Sequence, residues 1–339
     1  MMEALVAVKN LSIGIHRGKN LYSSVEDISF NIYPGEILGI AGESGSGKSL
    51  TALSIPGLLG DNKEITGGSI IYNSGSSPNK ASKNLHSLAE EEFHHIRGKE
   101  ISIVFQEALS SLNPLMKVKD QIAENLLLHN SDKPGRIKRK EYREKVYFHV
   151  KELLEELKFD EPEKIMETYP HRLSGGMCQR IMIALAVINK PRLLIADEPT
   201  TALDRITQEE IINLLKKINQ YFGTSILFIS HDLELVRKLC SRILIMYSGR
   251  ILEEGNTGEV FFNPAHEYTK GLLGSIPRKE NRGNDLKGIP GRIPSLEEGR
   301  PLGCPFHPRC KKSVPACMER FPVPKEVSET HTSRCILEE

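Results

Sequence analysis

What the chain of 339 residues lacks narrows it first. No uninterrupted apolar stretch approaches the roughly 20 residues needed to span a bilayer, so no membrane segment is expected within it. The opening residues Met1-Met2-Glu3-Ala4-Leu5-Val6 include an acid and lack a basic region and a cleavage site, which argues against a secretory signal. Charge of neither sign is in excess: 45 Lys and Arg stand against 44 Asp and Glu. That balance argues against nucleic acid as the main partner. No internal repeat, coiled-coil insertion or basic stripe is evident. These absences leave a chain expected to stay in the cytoplasm. If it powers transport, other polypeptides must form the pore. A two-part chain is the default expectation at this length.

What is present begins with Gly42-Glu43-Ser44-Gly45-Ser46-Gly47-Lys48-Ser49, a full match to G-x-x-x-x-G-K-S. It follows the apolar run Ile37-Leu38-Gly39-Ile40-Ala41 and precedes Leu50-Thr51-Ala52-Leu53, so strand, loop and helix fall in the required order. A Gly/Ser-rich surface turn needs neither flank nor the Lys-Ser pair. The glycines let backbone N–H groups face phosphate oxygens at a helix start. Lys48 is expected to reach the β- and γ-phosphates and the Ser49 hydroxyl to ligate Mg²⁺. Residues Gly42 to Leu50 form the candidate nucleotide-binding segment.

A second element is Leu193-Leu194-Ile195-Ala196-Asp197-Glu198. Its apolar run predicts a central parallel strand buried on both faces, delivering two carboxylates to its C-terminal end. Beside a phosphate loop, Asp197 is expected to hold Mg²⁺ and Glu198 to act as general base on the attacking water. An acidic strand end that merely caps the next helix is the plainer alternative. Gln106 follows Ile101–Phe105, and His231 follows Ile226–Ser230, both strand-like runs. Between phosphate loop and acid pair lies Leu173-Ser174-Gly175-Gly176-Met177, where Ser174 and the glycines open a predicted helix.

This order of motifs resembles the ABC-type ATPases over about residues 5–339. The resemblance implies an α/β fold: a phosphate-loop ABC ATPase with a mixed sheet, a RecA-like core, an inserted helical subdomain and a small irregular cysteine-containing C-terminal domain. It implies that Gln106 senses Mg²⁺ and the γ-phosphate, joining Ser49 and Asp197 at the metal. It gives His231 a switch contact to the γ-phosphate and Ala202-Leu203-Asp204 a contact to the opposite subunit. Ser174, Gly175 and Gly176 are then the signature, completing the nucleotide site of a second subunit in trans. Catalysis falls to Glu198, His231, Gln106 and Lys48. Cys178 stands where the family more often has a basic residue. Ile15 stands near the place of the adenine-stacking aromatic, with Tyr22 as a substitute.

Ser111-Leu112-Asn113-Pro114, Tyr169-Pro170-His171 and Asn263-Pro264-Ala265-His266-Glu267-Tyr268-Thr269 are similar to the ATP-binding subunits of dipeptide and oligopeptide importers. Glu107-Ala108-Leu109 departs from the Asp-Pro-containing stretch usual there. The resemblance implies an ATPase domain over 1–262, with a helical subdomain at about 107–180 facing the permease, and a C-terminal domain over 263–339. It implies ATP and Mg²⁺ as ligands, two membrane permease subunits, a second ATP-binding subunit (a paralogue in a heterodimer) and an extracytoplasmic solute-binding protein. The chain is then peripheral, at the cytoplasmic face of the cell membrane, with no nucleic-acid partner. Two alternatives are kept: a soluble ABC ATPase of nucleic-acid repair or translation, and an importer motor for a non-peptide solute. A non-catalytic module is disfavoured by intact Lys48, Asp197, Glu198 and His231.

Within the helical region, Val146, Val150, Leu153, Leu154 and Leu157 form a stripe at helical spacing, read as core. Exposed loops are expected at Asn73–Asn84 and Lys279–Lys287. Cys178 and Cys240 read as small core residues. The other four cysteines, Cys304, Cys310, Cys317 and Cys335, lie in the tail with gaps of five, six and seventeen residues. Stable disulfides are not expected in a cytoplasmic protein. Zinc sites typically pair ligands across about two to four residues, whereas a cubane separates four thiolates more widely. A [4Fe–4S] cluster is therefore expected, with zinc and four plain thiols as alternatives. His307 and His331 are further possible ligands.

Overall fold

A computed structural model describes residues 3–74, 82–129, 139–276 and 288–337. Most of the loop expected at Asn73–Asn84, and all of that at Lys279–Lys287, lies outside the described residues. The strands are β1 (Val6–Arg17), β2 (Asn20–Ile32), β3 (Ile37–Ala41), β4 (Lys63–Tyr72), β5 (Lys83–Asn84), β6 (Ile101–Val104), β7 (Leu193–Asp197), β8 (Ser225–Ser230), β9 (Arg242–Tyr247), β10 (Arg250–Asn256), β11 (Lys325–Ser328) and β12 (His331–Ser333). The helices are α1 (Lys48–Ser54), α2 (Glu90–His94), α3 (Ala108–Ser111), α4 (Val118–His129), α5 (Arg139–Glu156), α6 (Pro162–Met166), α7 (Gly175–Val187), α8 (Arg205–Phe222), α9 (Leu233–Leu239), α10 (Thr257–Phe262) and α11 (Glu267–Gly274). No helix among the described residues is long and apolar enough to cross a membrane.

The chain divides into two compact units, one of residues 1–33, 37–87 and 228–339, the other of 34–36 and 88–227. In the first, β2-β1-β4-β5 form an antiparallel sheet, and β11-β12-β10-β9-β3 run side by side in a second. Strand β3 is apolar and buried at all five residues, as a strand covered on both faces must be, and pairs parallel with β9. Beyond β9 the pairing is antiparallel, through β10 to β12 and β11. The tail thus shares a sheet and a compact unit with the phosphate loop. Cys240 is buried at the end of α9, as its small apolar character implies.

The second unit pairs β6 parallel with β7, Val104 opposite Ala196. Around them lie α2 to α8. The stripe from Val146 to Leu157 is buried throughout and packs α5 against α4 and α6. Helix α8 starts at Asp204, whose carboxylate accepts from the Ile206 and Thr207 N–H groups, and stops at left-handed Gly223. Its buried face is Ile211, Ile212, Leu214, Leu215 and Ile218. Strand β8 is where the division falls: Ser225–Leu227 belong to the second unit and Phe228–Ser230 to the first.

Candidate functional site

In the first unit, the segment between β3 and α1 turns so tightly that only glycine fits at Gly42. Its φ is 153°, and a Cβ there would stand 2.1 Å from the Met246 carbonyl oxygen. Lys48 is buried, and its Nζ donates to the carbonyls of Gly42 and Glu43, each at 2.9 Å. That places a cation inside the loop's own curve, where phosphate oxygens are expected. Helix α1 starts at Lys48, and its N-cap residue, Gly47, supplies no side-chain cap. His231 is exposed just beyond β8, before Asp232, which caps α9.

The second unit holds the acids and the Ser174-Gly175-Gly176 segment. Asp197 ends β7 buried, and Glu198 follows half-buried at φ 47°, a left-handed backbone that a non-glycine residue adopts only when its surroundings impose it. The Thr201 hydroxyl donates to Glu198 Oε2 at 2.9 Å and fixes that carboxylate. Gln106 is exposed two residues past the end of β6, the parallel neighbour of β7, so glutamine and acid pair leave the same strand ends. Asp204 is occupied locally: bonds from the Thr207 hydroxyl and N–H hold its carboxyl below its ordinary pKa.

Ser174 caps α7, its Oγ accepting from the Met177 N–H at 3.3 Å. The two glycines differ. A Cβ on Gly175 would meet nothing within 4 Å, so that face of the helix start is open. A Cβ on Gly176 would stand 2.4 Å from Thr207 Cγ2 on α8. Cys178 is fully buried beneath, its Sγ 3.5 Å from the Pro170 carbonyl. Whatever the basic residue does in relatives, this side chain points into the core. Ile15 and Tyr22 are direct partners across β1 and β2, both half-buried, so the two adenine-stacking candidates occupy one spot. Register shifts between Val8 and Gly14 loosen any alignment there.

In the tail, Cys304, Cys310, Cys317 and Cys335 line one cavity with His266, Phe306 and His307. Three are buried and Cys310 is half-buried. Burial pushes the Cys304 thiol up to about 12, its three sister cysteines adding to the shift. Such a thiol ionises only beside a positive centre. The open space among the groups is about 10 Å³, the room of one water. Among the described residues no group of three or more His, Cys, Asp or Glu is arranged to hold a metal ion. The iron–sulfur and zinc expectations thus gain a shared cavity and no formed metal site. His331 is turned elsewhere: its Nε2 lies 2.7 Å from buried Glu253. His266 went unforeseen. Its Nδ1 accepts from the Tyr268 N–H, its Nε2 lies 3.7 Å from Cys304 Sγ, and burial lowers its pKa to about 4. Its only sequence signal was its place in the Asn263–Thr269 segment.

A glycine-lined phosphate loop with a buried lysine, strand-end acids and a serine-capped glycine pair define a nucleotide hydrolase of the ABC class. Residues 25–201 match the ABC transporter family, and 252–317 match the oligopeptide/dipeptide transporter C-terminal region. Oligopeptide transport ATP-binding protein OppD of Escherichia coli is 41% identical over 321 residues, 95% of this chain and 90% of that protein. AppD of Bacillus subtilis, of the same description, is 41% identical over 338 residues, 100% of this chain and 98% of its own. Dipeptide transport ATP-binding protein DppD of Bacillus subtilis is 38% identical over 339 residues, covering 100% and 96%. Among solved structures, dimeric MJ0796, a bacterial ABC transporter cassette, matches with TM-score 0.62 at 28% identity, over 74% of this chain and 98% of that one. The chain belongs to the ABC transporter ATP-binding proteins, in the branch with the oligopeptide/dipeptide transporter C-terminal region.

The glycine pair gives a test. The Thr207 rotamer is pinned by its bond to Asp204, so Gly176→Ala is expected to destabilise the α7–α8 contact by about 1–3 kcal/mol. Gly175→Ala is expected to stay within about 0.5 kcal/mol of wild type. Denaturant midpoints of the two variants check this.

Proposed function

We propose that this chain is the ATP-hydrolysing subunit that drives import of dipeptides or oligopeptides through a membrane permease. The carrying observation is the presence, on one chain, of a full ATPase motif set and the peptide-transporter C-terminal region. Relatives similar over nearly their whole length are oligopeptide and dipeptide transport ATP-binding proteins. The transported solute is selected by the permease and its binding protein.

In this reading Lys48 and the loop N–H groups neutralise the β- and γ-phosphates. Ser49, Gln106 and Asp197 would hold Mg²⁺, which would supply positive charge to the phosphates. Glu198, oriented by Thr201, accepts the proton of the water that attacks the γ-phosphorus; the bond to the bridging oxygen breaks and leaves ADP. Gln106 and His231 contact the γ-phosphate. Ser174, Gly175 and Gly176 present an open helix start to nucleotide bound by a second ATP-binding subunit, a paralogue, so ATP closes the pair and hydrolysis releases it. Partners are two permease subunits and an extracytoplasmic solute-binding protein, with the chain peripheral at the cytoplasmic face of the membrane. The domains are 1–262, with a helical subdomain at about 107–180, and 263–339. The tail cysteines are the proposed ligands of a [4Fe–4S] cluster, a reading supported by four thiols on one cavity that must widen from its about 10 Å³ to admit one.

Glu198→Gln is expected to keep ATP binding and lower turnover by at least about 100-fold. Measured turnover within twofold of wild type would remove Glu198 as the base. ATPase activity reconstituted with and without the permease pair and candidate solutes separates the importer from a soluble ABC ATPase: permease and solute are expected to stimulate it.

For the tail, anaerobically purified protein is expected to be brown, with about four irons and four acid-labile sulfides per chain. Serine at Cys304, Cys310, Cys317 or Cys335 is expected to bleach it, and Cys178→Ser or Cys240→Ser is not. Colourless protein without iron, and serine variants indistinguishable from wild type, would reject the cluster.

A further inference from the structure

Glu43 occupies one of the variable positions of G-x-x-x-x-G-K-S, and nothing in the phosphate motif prescribes its side chain. Yet three of its groups are held. Its N–H donates to the Tyr268 hydroxyl at 2.9 Å, its carboxylate accepts from Arg309 Nη1 at 2.8 Å, and its carbonyl accepts from Lys48 Nζ at 2.9 Å. Two of the three partners come from beyond residue 262, in the tail.

Both tail partners are rigidly seated. Tyr268 is fully buried and packs edge-on against Tyr247, ring centroids 4.7 Å apart, and tilted against Phe306 at 5.2 Å. Burial pushes its hydroxyl pKa well up, so it stays protonated and neutral. Arg309 has a side chain only 7% exposed. Its Nε donates to the Pro290 carbonyl at 2.8 Å, and Nη1 also donates to the Tyr247 hydroxyl at 3.3 Å. A guanidinium bound to main-chain oxygen on one side and to a carboxylate on the other fixes position as well as charge.

We propose that Tyr268 and Arg309 are positioning residues for ATP binding: together they clamp Glu43, and through its carbonyl they set where Lys48 stands in the phosphate loop. The clamp acts on the grip on nucleotide. It also gives the tail a role in the ATPase reaction itself, whether or not the cysteines carry a cluster. The inference rests on Gly42–Ser49 being the ATP-binding loop.

The test is Mg·ATP titration and steady-state hydrolysis with the full chain, each variant checked for its melting midpoint. Lys48→Ala examines the underlying reading, since that variant loses ATP binding if the loop is the nucleotide site. If it does not, that reading fails independently of the clamp. Losing a charge-assisted or buried hydrogen bond is expected to raise both Kd and KM for ATP about 5- to 30-fold in Arg309→Met and Tyr268→Phe. Arg309→Lys is expected to recover part of the loss. Glu43→Gln weakens the same bond from the loop side without touching the tail. In the Glu43→Gln background, Arg309→Met is expected to add little, because both changes break one interaction. The clamp is refuted if well-folded Arg309→Met and Tyr268→Phe bind ATP as wild type does, or if Arg309→Met and Glu43→Gln act additively.

Discussion

The tail is anchored by a carboxylate that has been taken out of water. Glu253, on β10, is 1% exposed, and a carboxylate so buried must find donors or destabilise the fold. It finds three, from two places: the adjacent Ala265 and His266 N–H groups at 2.7 and 2.9 Å, and His331 Nε2 at 2.7 Å. The first two fix the start of α11, and the third fixes β12 against β10. From there the order propagates by contact. His266 accepts from the Tyr268 N–H, Tyr268 accepts from Glu43, and Glu43 accepts from Lys48. One buried acid in the sheet thus seats the helix whose tyrosine meets the phosphate loop.

The parts legible in the sequence are those whose physics is local. A run of five apolar residues before a glycine-rich stretch is a buried strand feeding a turn, and β3 with Gly42 is that arrangement. The apolar stripe from Val146 to Leu157 is periodic, and it is core. The acids of β7, with Gln106 and His231 beyond their own strands, are placed by strand ends that the hydrophobic pattern itself marks. The tail contacts have no such signature. Glu43 and Arg309 are 266 residues apart and meet only because the sheet returns the chain to the loop. His331 stands near the cysteines in sequence, and the pairing of β12 with β10 turns it to Glu253 instead. Sequence proximity was a poor guide there because strand register decides which way a side chain faces.

Around the acids and the signature, single residues carry two duties. Asp204 sits where the family resemblance implies a contact to another subunit, yet its carboxylate is already bound by the first turn of α8. Capping leaves the residue exposed while fixing its direction, so a presented side chain and a helix start are compatible demands. The two glycines differ in their neighbours: Gly176 admits α8 at close range, while a Cβ at Gly175 would meet nothing within 4 Å. Glu198 adopts a left-handed backbone that costs about 1–3 kcal/mol, a strain sustained where a carboxylate must be aimed.

Lys48 and Glu198 each have a support within their own unit. Lys48 is reached by the sheet that contains β10 and β12, through Glu253, His266, Tyr268 and Glu43. Glu198 is oriented by Thr201, three residues along its own segment. A perturbation of the tail therefore has a path of hydrogen bonds to Lys48, and a perturbation near Thr201 has one to Glu198.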